Sequence, residues 1–197
     1  MKAALILTLS RVVLCPIFLV VYLFYAKMGI PFVVMPYILL FIALVCELSD
    51  VFDGVIARRT KAVTELGKIL DPMADSIVKL SIFLAFTQGC IKLPILLVLA
   101  FVIRDAVIST LRTLCALRGT ALAARASGKL KTIFQAIAIF LILLMIIPYT
   151  LGYISLGFLR GVSFWVVLPT ALYAVASGIE YIWVYRNYIR QSWTRVA

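Results

Sequence analysis

Four of the five aspartates in this chain fall in one stretch, Asp50 to Asp75, which reads DVFDGVIARRTKAVTELGKILDPMAD. On a helix, residues three or four apart share a face and lie within about 6 Å of one another. Asp50 can therefore meet Asp53, and Asp71 can meet Asp75. If two helices turn these pairs toward each other, four hard oxygen ligands surround a space suited to Mg²⁺ or Mn²⁺. The chain contains no histidine, which argues against zinc chemistry and against a histidine base. Acid and base work falls to carboxylates. Cys15, Cys46, Cys90 and Cys115 are scattered without a paired metal or redox spacing and read as small buried hydrophobes.

Plainer readings account for parts of this set. Asp71 can cap a helix that starts at Pro72, and Arg58, Arg59 or Lys79 can pair with two of the four carboxylates. Neither covers the whole group. An aspartate held in lipid at a helix centre costs about 2.5 to 3.5 kcal/mol, so all four are expected to face water, cations or one another. Gly54, Gly67 and Ala57 keep the backbone open to a nucleotide or, equally, to a neighbouring helix. Arg58, one turn beyond Gly54, offers a planar fork for a phosphate oxygen.

The elements that must position these groups are membrane helices. At 65% hydrophobic and 14% charged residues, the chain is too apolar for a soluble core of its length. Apolar spans are expected at Leu9 to Ala26, Pro31 to Leu48 (continuing as helix past Asp53), Pro72 to Phe86, Leu93 to Leu117, Ile133 to Tyr149 and Val162 to Trp183. The expected fold is all-α, a six-transmembrane-helix bundle forming a single domain over residues 1–197. Arg11 interrupts the first span and no small-residue cleavage site follows it, which argues against a signal peptide. Lys2, Arg11, Arg58, Arg59, Lys61, Lys68, Arg112, Arg118, Arg125, Lys129, Lys131, Arg186, Arg190 and Arg195 fall on one side of such a bundle, against Lys27, Lys92 and Arg160 on the other. The positive-inside rule then puts both termini and the acidic stretch on the cytoplasmic side of the inner membrane. A net charge of +11 follows mainly from that asymmetry, with attraction to anionic lipid second, and nucleic acid is not an expected partner.

The spacing Asp50-x2-Asp53-Gly54-x2-Ala57-Arg58-x8-Gly67-x3-Asp71-x3-Asp75 resembles the signature of the CDP-alcohol phosphatidyltransferase family at every defined position. The resemblance implies a six-helix membrane enzyme, usually a homodimer, that moves a phosphatidyl or similar group from a CDP-linked donor to an alcohol and releases CMP. It makes Asp50, Asp53, Asp71 and Asp75 metal carboxylates and Asp75 also the base. Two Mg²⁺ ions on the four aspartates would neutralise the diphosphate of CDP-diacylglycerol, with Arg58 adding charge beside Gly54, Ala57 and Gly67.

The acceptor is read from a second basic group. Asp105, Ser109 and Arg112 fall on one helical face with Arg104 adjacent; Arg104 and Asp105 can also simply neutralise each other. Ser127-Gly128-Lys129-Leu130-Lys131-Thr132 opens the fifth span, where backbone N–H groups and two lysines can hold an anion, although such lysines also set topology. The stretch IRDAVISTLR, and the Gly-Lys-Leu-Lys-Thr segment followed by Gln135, are similar to the family members whose acceptor is glycerol 3-phosphate. That likeness assigns Arg104, Arg112, Arg118, Lys129 and Lys131 to an acceptor-phosphate pocket, and Thr8 and Arg11 of the opening LTLSR to the nucleotide end. The chain departs from those members at Ala4 and Leu5, where they commonly carry Pro-Asn. Competing expectations are an inositol phosphate acceptor, a phosphatidylglycerol acceptor as in cardiolipin synthesis, and, from another class, a cation transporter. Towards the end of the chain, Pro148, Gly152, Gly157 and Gly161 read as the loop before the sixth span, and Trp165, Tyr181, Trp183, Tyr185 and Trp193 suit membrane interfaces.

Overall fold

A computed structural model describes residues 2–59, 65–117 and 126–193, with the side chains of 2–9, 51, 53–59, 65–71, 114, 116–117 and 187–193 outside the description. Among the described residues the regular structure is helical throughout: α1 (Lys2–Phe24), α2 (Met35–Arg59), α3 (Glu65–Phe86), α4 (Ile95–Leu117), α5 (Ala126–Thr150) and α6 (Leu156–Trp193). Most helices outrun the apolar spans expected from sequence. A span measures the stretch that hydrocarbon tolerates, whereas a helix continues as long as its backbone has no better partner than itself. α6 is the extreme case. Its 38 residues reach about 57 Å at 1.5 Å per residue, well past the roughly 30 Å of a bilayer core.

Three expectations change. Asp71 and Pro72 lie within α3, so Asp71 does not cap a helix that Pro72 begins. Pro148 lies inside α5, and Gly157 and Gly161 lie inside α6, which leaves Gly152 in the turn between them. Cys90 is only half-buried, whereas Cys15, Cys46 and Cys115 are buried; none of the four forms a disulfide.

The helices close a ring. α1 packs on α2 and α3, α2 on α5, α5 on α6, α6 on α4, and α4 returns to α3. α3 also touches α5 across the ring and meets α2 lightly, so it is the element with the most neighbours. Aromatic rings pack along its C-terminal half: Phe86 meets Phe18 and Tyr22 of α1 edge-on at ring-centroid distances of 6.3 and 5.8 Å, and Phe83 meets Phe101 of α4 in a tilted pair at 4.9 Å. Outside the ring the surface is apolar, with Phe41, Leu96, Trp165, Leu172 and Trp183 all exposed. Large apolar side chains in that number suit lipid better than water. Among the described residues, α5 and most of α6 are long and apolar enough to cross a membrane.

The α3–α4 turn is fixed by Tyr22, whose hydroxyl donates to the carbonyl of Gln88 at 3.0 Å, and by Arg160, whose Nε donates to the carbonyl of Cys90 at 2.9 Å. Burial pushes the Cys90 thiol up from its ordinary value. Gly89 sits between these anchors at φ +64°, and a Cβ there would lie 2.9 Å from the Tyr22 hydroxyl. Gly89→Ala is therefore expected to cost about 1 to 2 kcal/mol, the left-handed penalty of a non-glycine residue. Gly161→Ala, with open space around it, should be near neutral. Thermal unfolding of the detergent-purified variants separates the two.

Candidate active site

Asp50 and Asp75, the two ends of the acidic stretch, lie where α1, α2 and α3 converge. Arg11 of α1 is buried and forms an ion pair with Asp50 of α2, whose carboxylate is 40% exposed. Lys79 of α3 is buried as well. Its ammonium binds Oδ1 of Asp75, one turn back on the same helix, and lies 3.2 Å from Oε1 of Glu47 on α2. A buried cation is tolerated only where carboxylates compensate it, and these two pairings bring the acidic faces of α2 and α3 together.

That convergence gathers carboxylates on adjacent faces of α2 and α3. Glu47 and Asp75 meet at one ammonium, and Asp50 lies one turn beyond Glu47 on the face where i and i+3 residues align. The available donors are hard carboxylate oxygens, the preferred ligands of Mg²⁺ and Mn²⁺. Asp53 and Asp71, the other half of the expected set, have side chains outside the described residues, as do Gly54, Ala57, Arg58, Gly67 and Thr8; Arg118 lies outside them altogether. Among the described residues no group of three or more metal-ligating side chains assembles.

A cavity of about 570 Å³ opens beside Asp75. α3 contributes Asp75 and Ser76, α4 contributes Arg104, Asp105, Ser109 and Arg112, α5 contributes Gly128, Lys129, Lys131 and Thr132, and α6 contributes Tyr181. The i, i+4, i+7 face of α4 thus lines one wall. Asp105 is buried and accepts Lys131 Nζ on both carboxylate oxygens at 2.8 Å, while Arg104 Nη1 reaches Oδ1 at 2.9 Å. Two cations against one carboxylate leave this buried network with a surplus positive charge.

The network continues into α6. Arg104 donates from Nε and Nη2 to Oγ of Ser177, each at 3.2 Å, and its guanidinium lies 5.9 Å from the centroid of the Tyr181 ring. Gly178 makes room for this arm, since a Cβ there would come within 3.1 Å of Arg104 Cγ. Of the basic residues expected at an anion pocket, Arg104 and Lys131 are thus compensated by Asp105, whereas Arg112 and Lys129 line the cavity with no carboxylate partner among the described residues. Arg11 and Lys131, counted above among the topology-setting charges, are buried inside the bundle.

Sequence reasoning overlooked four of these groups. Tyr181, read as an interface aromatic, is buried and lines the cavity. Ser177 lies one turn before it, so the i, i+4 pair of polar residues in an apolar helix was the available signal. Glu47 extends the Asp50 face by one turn. Lys79, considered only as a neutraliser of the aspartates, is the joint between two helices.

A membrane-type helical bundle that brings a carboxylate and several cations to one cavity suits an enzyme of phosphate-ester transfer. Residues 1–173 match the CDP-alcohol phosphatidyltransferase family, and the chain belongs to that family. Among its relatives, the CDP-diacylglycerol–glycerol-3-phosphate 3-phosphatidyltransferase of Bacillus subtilis is 32% identical over 183 residues, covering 89% of this chain and 90% of the relative. The proteins of the same name from Rickettsia typhi and Pectobacterium atrosepticum are 32% and 36% identical, each over 70% of this chain and 74% of their own length.

The Asp105 network makes a stability prediction. Asp105→Asn leaves Lys131 and Arg104 without their carboxylate and should lower stability by about 3 to 5 kcal/mol, the usual cost of breaking a buried pair from one side. Adding Lys131→Met removes one of the stranded charges and should recover part of the loss. Thermal unfolding of the single and double variants measures both.

Proposed function

We infer that this chain transfers a phosphatidyl group from CDP-diacylglycerol to sn-glycerol 3-phosphate, giving phosphatidylglycerophosphate and CMP. One observation carries the reading: Asp75 lines the same cavity as Arg112 and Lys129, so a carboxylate base and cations for an anionic acceptor converge on one volume. The names of the relatives from three bacteria agree with it. An inositol phosphate would also suit these cations, but none of those names points to it.

In this reading the acceptor enters the cavity with its phosphate against Arg112 and Lys129, and Arg104 and Lys131 add the surplus charge of their network. Arg118 joins the same pocket. The hydroxyl oxygen attacks the phosphatidyl phosphorus, a new P–O bond forms as the bond to CMP breaks, and the hydroxyl proton passes to Asp75. Proton transfer of this kind requires the base within hydrogen-bond reach of the hydroxyl and contributes roughly 10² to 10⁴ in rate. On the donor side, Gly54, Ala57 and Gly67 leave space for the nucleotide, Arg58 and Thr8 supply polar contacts near it, and Arg11 acts from within the bundle by holding Asp50. Asp50, Asp53, Asp71 and Asp75 would hold two Mg²⁺ or Mn²⁺ ions, which would neutralise the diphosphate of the donor and the charge developing on the departing CMP.

The proposed setting is the cytoplasmic membrane, spanned by all six helices, with both termini and the site on the cytoplasmic side and a homodimer as the working unit. The basic asymmetry of the sequence and the apolar exterior of the ring support the placement.

Purified protein given CDP-diacylglycerol and a panel of acceptors should release CMP with glycerol 3-phosphate and yield phosphatidylglycerophosphate as the lipid product. Turnover with a neutral alcohol only would overturn the acceptor assignment. Asp75→Asn should reduce CMP release by about 10³-fold while CDP-diacylglycerol binding stays measurable; near-normal turnover would remove Asp75 from the mechanism.

A further inference from the structure

Lys79 is shared between two carboxylates. Its ammonium takes Oδ1 of Asp75 from its own helix and Oε1 of Glu47 from α2, and 1% of the residue is exposed. The acid precedes the lysine by four residues on α3, the favourable order for such a pair. Lys79 lies one turn deeper than Asp75 and does not itself line the cavity that Asp75 lines.

We propose that Lys79 and Glu47 are positioning residues for Asp75: Lys79 holds one carboxylate oxygen so that the other is presented to the reacting groups, and Glu47 anchors Lys79 from the neighbouring helix. This inference rests on the transferase reading above. The geometry explains why two acids are needed. With Asp75 as its only partner, Lys79 would draw that carboxylate into a closed one-to-one pair and cancel its charge. Glu47 supplies a second anion, so the trio keeps one net negative charge beside Asp50. Glu47 also ties α2 to α3 at the level where their carboxylates face the same space, although these helices otherwise meet lightly.

The trio makes opposing electrostatic demands on a cation bound nearby. Removing the Lys79 charge should tighten divalent-cation binding and still slow the reaction, because Asp75 loses its fixed orientation. Removing the Glu47 charge should weaken cation binding. A residue that only supports the fold does not move the two readouts in opposite directions.

The test uses the full-length protein in detergent, with Mn²⁺ binding followed by electron paramagnetic resonance in the absence of substrate and steady-state CMP release followed separately. Lys79→Met should bind Mn²⁺ several-fold more tightly while kcat falls roughly 10- to 100-fold, the scale of a misplaced reacting group, with the acceptor KM within about threefold. Glu47→Gln should bind Mn²⁺ several-fold more weakly with a smaller loss of kcat. The double variant should return Mn²⁺ affinity to within about twofold of the parent and have a kcat no lower than Lys79→Met, since residues acting as one unit are not additive. The proposal fails if kcat of Lys79→Met stays within about twofold of the parent, if both single variants shift Mn²⁺ affinity in the same direction, or if the two losses of kcat multiply. If Lys79→Met does not fold, Glu47→Gln decides alone: weakened Mn²⁺ binding by a folded variant supports the proposal, and unchanged binding overturns it. A parent protein that binds Mn²⁺ but releases no CMP would instead sink the transferase reading, and the Mn²⁺ shifts would still report on Lys79.

Discussion

A buried charge in an apolar bundle must find its counter-charge locally, and that constraint fixes how these helices sit against one another. Three buried cations do so here: Arg11 with Asp50, Lys79 with Asp75 and Glu47, and Lys131 with Asp105. Each pairing sets a register. Arg11 sets α1 against α2, Lys79 sets α3 against α2, and Lys131 links α5 to α4 across the ring. Between helices in lipid there is little hydrophobic drive to choose one register over another, so close packing and polar pairs must choose it. Leaving any of the three cations without its partner is costly enough to select against a helix shifted by one turn.

This same constraint explains what could be read from the amino-acid order and what could not. The all-helical character and the three-to-four spacing of the acidic residues follow from local rules, because hydropathy and spacing are properties of neighbours in sequence. Asp50 and Asp75 were visible for that reason. The helix ends were less visible, since Pro148 and Pro72 signal a break locally and yet lie within α5 and α3. Tyr181 and Ser177 were hidden for a different reason. Their role depends on α6 packing against α4 to meet Arg104, and no spacing within α6 records which helix it will touch. Lys131 shows the limit from the other side: its position in a basic segment suggested a free anion ligand, but the fold gives it to Asp105.

Charge is also sorted by location. Among the described residues the α1–α2–α3 junction gathers Glu47, Asp50 and Asp75 around Arg11 and Lys79, a surplus of negative charge. The walls from α4 and α5 carry, among the described residues, Arg104, Arg112, Lys129 and Lys131 against Asp105. A site of the first kind attracts cations, and one of the second attracts phosphate. In a low-dielectric setting such a division acts over short distances with little screening.

Two opposite surpluses this close would neutralise each other if their side chains could reach across. Asp105 prevents that by engaging Arg104 and Lys131 from within the basic wall, and Ser177 and Tyr181 hold the Arg104 arm on the α6 side. On the acidic side, Glu47 draws Lys79 toward α2. Asp75 is then the carboxylate at the boundary, touching Lys79 behind it and lining the cavity in front. A carboxylate in that position stands between a surplus of negative charge and a surplus of positive charge, where groups of opposite electrostatic preference can be brought together. The location of Asp75 on α3, the helix with the most neighbours in the ring, ties that meeting point to the best-supported element of the fold.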